Sequence, residues 1–233
     1  DNVYSSVIGD TGVVTGTLDA AADTALLTVK PAAAVDVDLQ PDAETVVAGE
    51  SVTYTLTATD TFGNVWNATD EGTYDIEPGA GGSFPVKNVY TAQVPGTWIV
   101  TGTLGSVGDT AVLTVSRGAA RNVTLTPDPE TVTAGDSVAY TLTADDSFGN
   151  TWDVTGDSTF SRESGAGGSF VDNLYTSEIV GTWIVTGTVD SLSDTAVLTV
   201  LADCENVVRF DIEPKTATVM AGYPLVYTAT GYD

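Results

Sequence analysis

The sequence predicts an all-β protein: seven-stranded, two-layer sandwiches joined in tandem as an extended array. Three observations predict it. Apolar and polar residues alternate within short segments, as they do in half-buried strands. Turn residues interrupt these segments about every 8–12 residues, the spacing of an aligned sandwich. The whole pattern then recurs with a period of about 86 residues. No segment carries helical periodicity.

The repeat is explicit. Gly96-Thr97-Trp98-Ile99-Val100-Thr101-Gly102-Thr103 recurs from Gly181 to Thr188, and Asp109 to Val115 recurs from Asp194 to Val200. Gly79-Ala80-Gly81-Gly82-Ser83-Phe84 recurs from Gly165 to Phe170. Asp23 to Val29 match Asp109 to Val115, so residues 1–29 read as the back end of one repeat. Full repeats follow at 30–115 and 116–200. Ala221-Gly222 matches Ala48-Gly49 and Ala134-Gly135, so 201–233 reads as the front of another. Half a sandwich leaves its apolar face open. The chain therefore reads either as a window of a longer protein or as one whose open halves are completed by neighbouring molecules.

The second full repeat supplies the strands in order. Val123-Thr124-Leu125 is the first and stops at Pro127. In the second, Val138, Tyr140, Leu142 and Ala144 share one face while Thr141 and Thr143 face water. Asp146-Ser147-Phe148-Gly149-Asn150 is a turn, because Gly and Asn tolerate positive φ. Trp152 and Val154 mark a third strand, and Ser158 to Glu163 a fourth. The Gly-rich Gly165 to Gly168 is a loop. Phe170 to Thr176 is a fifth strand, Trp183 to Val189 a sixth and Thr195 to Val200 a seventh.

The Asp-x-x-Gly-Asn turn at Asp60–Asn64 and Asp146–Asn150 resembles that of bacterial and archaeal immunoglobulin-like (Big) repeats of the invasin and intimin type. The Gly-x-Trp-x-Val of Gly96, Trp98, Val100 and of Gly181, Trp183, Val185 is similar to the Gly-x-Tyr-x-Cys of immunoglobulin domains. Trp98 and Trp183 would stand in for the corner tyrosine, and Val100 and Val185 for the cysteine. The resemblance implies an immunoglobulin-like sandwich and a role in cell-surface stalks, adhesins, surface layers or modules of secreted enzymes. The N-terminal partial repeat departs from it, since Gly12 replaces the tryptophan.

Composition narrows the function. There are 32 acidic residues, 7 basic residues and no histidine, for a net charge of −25. That balance repels nucleic acid and anionic lipid and suits solubility, cation binding or life in high salt. About one residue in six is Thr, which sits well on the solvent face of a strand. The one cysteine, Cys204, excludes a disulfide within the chain and reads as a free thiol, with a crosslink to another chain as the alternative. No apolar run approaches the ~20 residues that cross a bilayer, so no direct membrane insertion is expected. The absence of histidine excludes His-based triads and zinc–histidine sites. Paired carboxylates that recur in every 86-residue unit are poor candidates for a duplicated active site, so no catalytic residue is assigned.

Asp60, Asn64, Asp146 and Asn150, with Asp145 and Asp153 nearby, gather at one end of their sandwiches. Calcium takes several oxygen ligands from flexible loops, which makes the first four candidate calcium ligands. Asp and Asn are also turn formers, and a turn needs no ion. No cofactor other than calcium is suggested. The four tryptophans have the phase of core residues, whereas Phe62 and Phe148 sit in the turns as candidate contact residues. Asn67-Ala68-Thr69 and Asn122-Val123-Thr124 are sequons, making Asn67 and Asn122 candidate glycosylation sites.

The joints Lys30–Ala34, Ser116–Arg121 and Leu201–Asn206 are short, so limited bending is expected. Their basic residues Lys30, Arg117 and Arg121 can pair with acidic loops. The leading expectation is a non-catalytic extracellular or cell-surface structural protein: a filament, sheath, surface-layer or stalk component. It would act as a rigid spacer or self-assembling subunit, with identical chains or neighbouring repeats as partners. An adhesin stalk presenting a binding tip and an accessory module of a secreted hydrolase are the alternatives.

Overall fold

Alternation of side chains makes strands here and nothing else of length. In the computed structural model, which describes residues 3–203 and 209–232, there is no α-helix among the described residues, only a 3-10 turn at Thr155–Asp157. The chain divides into two compact units, Asp1–Ala119 and Ala120–Asp233. Cys204 lies outside the described residues.

In the first unit, β1 (Thr11–Leu18) and β2 (Ala21–Thr28) form an antiparallel hairpin. Ten strands follow: β3 (Ala34–Gln40), β4 (Ala43–Val47), β5 (Ser51–Thr53), β6 (Thr55–Asp60), β7 (Val65–Asn67), β8 (Thr73–Ile76), β9 (Ser83–Val86), β10 (Val89–Thr91), β11 (Gly96–Leu104) and β12 (Val107–Ser116). One layer is the four-stranded sheet β4-β12-β11-β8, and the other is shared by β3-β6-β7 and β5-β10-β9. β4 lies parallel to β12, while β11 pairs antiparallel with both β12 and β8.

The core between these sheets is aliphatic with a tyrosine girdle. Leu39, Leu56, Val100, Leu113, Tyr54 and Tyr90 are fully buried. Each such aliphatic side chain stabilises the fold by about 1.5–3 kcal/mol relative to exposure. Gly102 on β11 lets the layers close: a Cβ there would lie 2.8 Å from Leu39 Cδ1 and 3.1 Å from Leu56 Cδ1. Trp66 and Trp98 pack against this core while remaining partly exposed.

The second unit repeats the arrangement with β13 (Asn122–Thr126), β14 (Glu130–Thr133), β15 (Ser137–Ala139), β16 (Thr141–Asp145), β17 (Thr151–Asp153), β18 (Thr159–Arg162), β19 (Ser169–Val171), β20 (Leu174–Thr176), β21 (Gly181–Val189) and β22 (Leu192–Leu201). Its sheets are β14-β22-β21-β18, β13-β16-β17 and β15-β20-β19. The β21–β22 register, Gly181↔Val200 to Val189↔Leu192, reproduces Gly96↔Val115 to Leu104↔Val107. β23 (Arg209–Glu213) and β24 (Thr228–Tyr232) form a further antiparallel pair. Arg209 and Lys215 both pair with Asp211 there.

Immunoglobulin-like sandwiches are thus present, with ten strand segments per complete sandwich where the alternation suggested seven. The segment from Val138 to Ala144 is split at Tyr140, because its two halves belong to different sheets: β15 pairs with β20 and β16 with β13. Phe170 to Thr176 is not one strand but a hairpin turning at Asp172, whose φ is 52°. β14 has no counterpart in the expected strands, because its pairing with β22 is parallel and depends on a partner about 68 residues away.

Candidate functional site

The Asp-x-x-Gly-Asn turns are the most highly bonded polar points of the two sandwiches. After β6 the chain reverses through Gly63, at φ 81°, and the Asp60 N–H donates to Asn64 O at 3.1 Å. The Asp60 carboxylate is buried beneath the turn. Its Oδ1 accepts the backbone N–H groups of Phe62 and Asn64, both at 2.9 Å. Its Oδ2 accepts Asn64 Nδ2 and the backbone N–H of Ala32, both at 2.8 Å. Burial opposes ionisation of this carboxyl. The Asn64 side chain and the backbone donors of Ala32, Asn64 and Phe62 outweigh that effect and hold the pKa down at about 2.

The turn also reaches beyond its own sandwich strands. Asn64 Oδ1 accepts the Gly9 N–H at 2.9 Å, and Asn64 Nδ2 donates to Val7 O at 2.7 Å. Together with Ala32, these bonds fasten the segments on both sides of the β1–β2 hairpin to the first sandwich. The arrangement is a clasp made of two side chains four residues apart in an ordinary turn motif.

The bonds within the turn recur in the second unit, where the Asp146 N–H donates to Asn150 O at 3.1 Å. Asp146 Oδ1 accepts the N–H groups of Phe148 at 2.9 Å and Asn150 at 3.1 Å, and its Oδ2 accepts Asn150 Nδ2 at 2.8 Å. Asp146 is likewise buried. The structure therefore brings Asp60 to Asn64 and Asp146 to Asn150, as hydrogen-bonded pairs. A carboxylate offers about four acceptor positions, and four protein donors already occupy those of Asp60. A cation on Asp60 would have to displace one of them.

Asp145 accepts the Arg121 N–H through its backbone carbonyl at 2.8 Å. Asp153 Oδ1 accepts the Thr155 N–H at 2.8 Å, and the hydrogen bonds from Thr155 lower the Asp153 pKa. Asn67 is exposed at the end of β7, with its Oδ1 accepting Thr69 N–H at 2.9 Å. Asn122 is exposed at the start of β13, opposite Asp145. Phe62 and Phe148 are exposed at the turn tips. Trp98 Nε1 donates to Val94 O at 3.0 Å and Trp183 Nε1 to Ile179 O at 2.7 Å, so each indole ties its strand to the backbone four residues upstream.

One group of acids has no local sequence signal. Carboxylate oxygens of Asp38, Asp42 and Asp109 lie within 4.8 Å of one another. Asp109 Oδ2 accepts the Leu39 N–H at 2.9 Å, and Gln40 Nε2 donates to Asp38 and Asp42 at 3.0 and 2.8 Å. The first of these bonds recurs as Leu125 N–H to Asp194 Oδ2 at 2.8 Å, so it is a structural tether between β-layers. The three-acid grouping does not recur, since Thr124 takes the place of Asp38.

No protein-family model and no curated protein matches the chain. Among solved structures, domains 1–6 of the surface layer protein SbsC align over 88% of this chain and 34% of theirs, at 19% identity and a TM-score of 0.33. Protocadherin Gamma C5 EC1-3 aligns over 82% of this chain and 76% of its own, at 8% identity and a TM-score of 0.43. An endo-fucoidan hydrolase of glycoside hydrolase family 107 aligns over 83% and 34%, at 13% identity and a TM-score of 0.28. This chain spans about a third of the SbsC fragment. All three TM-scores lie below 0.5, and none of these likenesses identifies a function.

Proposed function

We propose that this chain is a non-catalytic, extracellular structural protein, a component of a filament, sheath, surface layer or stalk. Its repeats, at 1–29, 30–115, 116–200 and 201–233, are of the bacterial and archaeal immunoglobulin-like type and act as rigid spacers or self-assembling subunits. The observation that carries this reading is the clasp of Asp60 and Asn64. It commits the most buried charge of the first sandwich to holding the preceding chain at Ala32, while Asn64 holds it at Gly9 and Val7. A binding or catalytic carboxylate keeps acceptor positions open for its ligand, whereas this one is filled by three backbone N–H groups and the Asn64 side-chain amide. Burying a carboxylate is costly unless it is fully bonded, and here the return on that cost is a fixed joint.

The composition agrees. With no histidine and a net charge of −25, the surface is suited to staying hydrated outside a cell and to excluding polyanions. The test is nitrogen-15 relaxation on the full chain. The β1–β2 hairpin and the 34–116 sandwich should tumble as one body, and Asp60→Ala should let the hairpin reorient on its own. Independent tumbling in the wild-type chain would overturn the spacer reading.

A further inference from the structure

The outward face of each four-stranded sheet differs from the rest of the surface. On β11 and β12 the cross-strand pair Ile99↔Val112 is framed by Thr97↔Thr114 and Thr101↔Thr110. On β21 and β22 the pair Ile184↔Val197 is framed by Thr182↔Thr199 and Thr186↔Thr195. Burial alternates so that these residues point away from the core, and the four aliphatic side chains are 36–39% exposed. Among the outward positions within the four strands there is one charge in the first sandwich, Asp75 on the edge strand β8, and none in the second; carboxylates reach the faces at their rims, where Glu77, Glu163 and Asp128 accept the backbone N–H groups of Ile99, Ile184 and Val197. The opposite layers are different: β3 turns Asp36 and Asp38 outward, and β16 and β17 turn out Asp145 and Asp153.

We infer that these sparsely charged faces are where two copies of the chain dock on one another. The inference rests on the self-assembling reading and names its surface. Charge selects the occupant. In a chain with 32 acidic and 7 basic residues, contact through almost any other surface sets carboxylate against carboxylate, and like-charge juxtaposition excludes a partner. The Thr-framed sheets are where identical copies approach with that penalty confined to the rims, and burying exposed Ile and Val there favours contact. Area sets the strength. At about 3.3 Å per residue and 4.8 Å between strands, one such sheet offers roughly 440 Å², about half of the ~800 Å² per partner of a standard stable interface. Each face is therefore a weak, reversible contact, and a chain bearing more than one gains from their number.

Sedimentation velocity on the full chain, over a series of protein and sodium chloride concentrations, tests this. Association should strengthen as salt screens the acidic rims. Ile99→Asp with Ile184→Asp should lower the association constant by at least about tenfold, because each introduced charge would be buried unpaired, with an unchanged melting temperature. Thr55→Asp with Thr141→Asp, on the opposite layers, should add the same charge and leave association near the wild-type value. Two results overturn the inference: face variants that associate like wild type, or a wild-type chain that stays monomeric throughout. Depletion of a monomeric wild type by insoluble polysaccharide, abolished by the same isoleucine changes, would assign the face to carbohydrate instead and also overturn it. None of these results bears on the joint, because relaxation of the monomer reads that separately.

Discussion

Asn88 closes both backbone groups of Tyr54: the Tyr54 N–H donates to Asn88 O at 2.8 Å, and Asn88 Nδ2 donates to Tyr54 O at 2.7 Å. Asn173 does the same for Tyr140, at 2.9 and 2.7 Å. At these points a strand leaves one sheet for another, and without the asparagine side chain the tyrosine carbonyl would lose its partner. The tyrosine can thus sit fully buried while the chain changes sheets around it.

Asn88→Ala and Asn173→Ala should each destabilise the fold by about 1–3 kcal/mol, the cost of leaving a buried carbonyl unpaired. Urea denaturation measures it. The two losses should be similar, because the geometry is the same in both sandwiches.

Gly168, at φ 66°, faces the carbonyl of Thr176 so closely that a Cβ would collide with that oxygen, and Gly82, at φ 70°, faces Thr91 in the same way. Tyr175 Oη donates to Gly167 O at 2.9 Å in this loop, and Tyr90 Oη to Gly81 O. Gly168→Ala should cost more than the ~1 kcal/mol of an ordinary left-handed alanine, since backbone must move as well. Gly149→Ala, where φ is 80° and nothing lies within 4 Å, is the control and should show only the conformational cost. Thermal melts of the two variants compare them.

Acid should weaken the fold in a specific window. The Asp60 carboxyl is held at about 2, against an ordinary value of 3.8, so the native state favours its ionised form. That contribution is complete above pH 3.8 and disappears as pH falls from 3.8 toward 2. Asp60→Asn should be less stable than wild type at neutral pH and should converge on it near pH 2, as measured by denaturant midpoints across pH.

Alkali acts through Tyr54 and Tyr140. Burial, with smaller repulsion from Glu44 and Tyr90 for Tyr54, and from Glu130, Tyr175 and Asp128 for Tyr140, pushes both hydroxyls up to about 12 from 10.0. The stability tied to keeping them protonated is complete below pH 10 and is lost as pH rises from 10 to 12. Neither hydroxyl reaches a hydrogen-bond partner among the described residues. Tyr54→Phe with Tyr140→Phe should therefore be tolerated at pH 7 and should flatten the alkaline limb. Ultraviolet titration, which reads tyrosinate directly, should show a late limb in wild type, to which burial of Tyr74, Tyr90 and Tyr175 also contributes, and a smaller late limb in the double variant.

Dialysis against a chelator should leave the melting temperature unchanged, and millimolar calcium should not raise it through Asp60 and Asn64. Protein donors occupy the acceptor positions of Asp60. A calcium-dependent rise that Asp60→Asn abolishes would show that the ion displaces one of them.

Much of the sandwich was legible. Val138, Leu142 and Ala144 on β15 and β16 are buried as their alternation requires, and the Asp-x-x-Gly-Asn turn closes where Gly63 and Gly149 permit positive φ. Less of the candidate site was legible. The pattern that marks Asp60 and Asn64 as a turn does not show that Ala32, 28 residues earlier, supplies the fourth donor to the carboxylate. Nor does it show that Leu39 bonds Asp109 across 70 residues.

The sequence by itself determined the period of the repeat, the two-faced character of its strands, the acidity of its surface and the absence of imidazole chemistry, because each depends on residue type and spacing along one segment. Only the tertiary structure decided that strands change sheets at Tyr54 and Tyr140, that the buried Asp60 carboxylate acts with Asn64 as a clasp, and that the Thr-framed aliphatic faces form continuous surfaces across neighbouring strands. Those features arise from hydrogen bonds and packing between segments tens of residues apart, where local pattern carries no information about the partner.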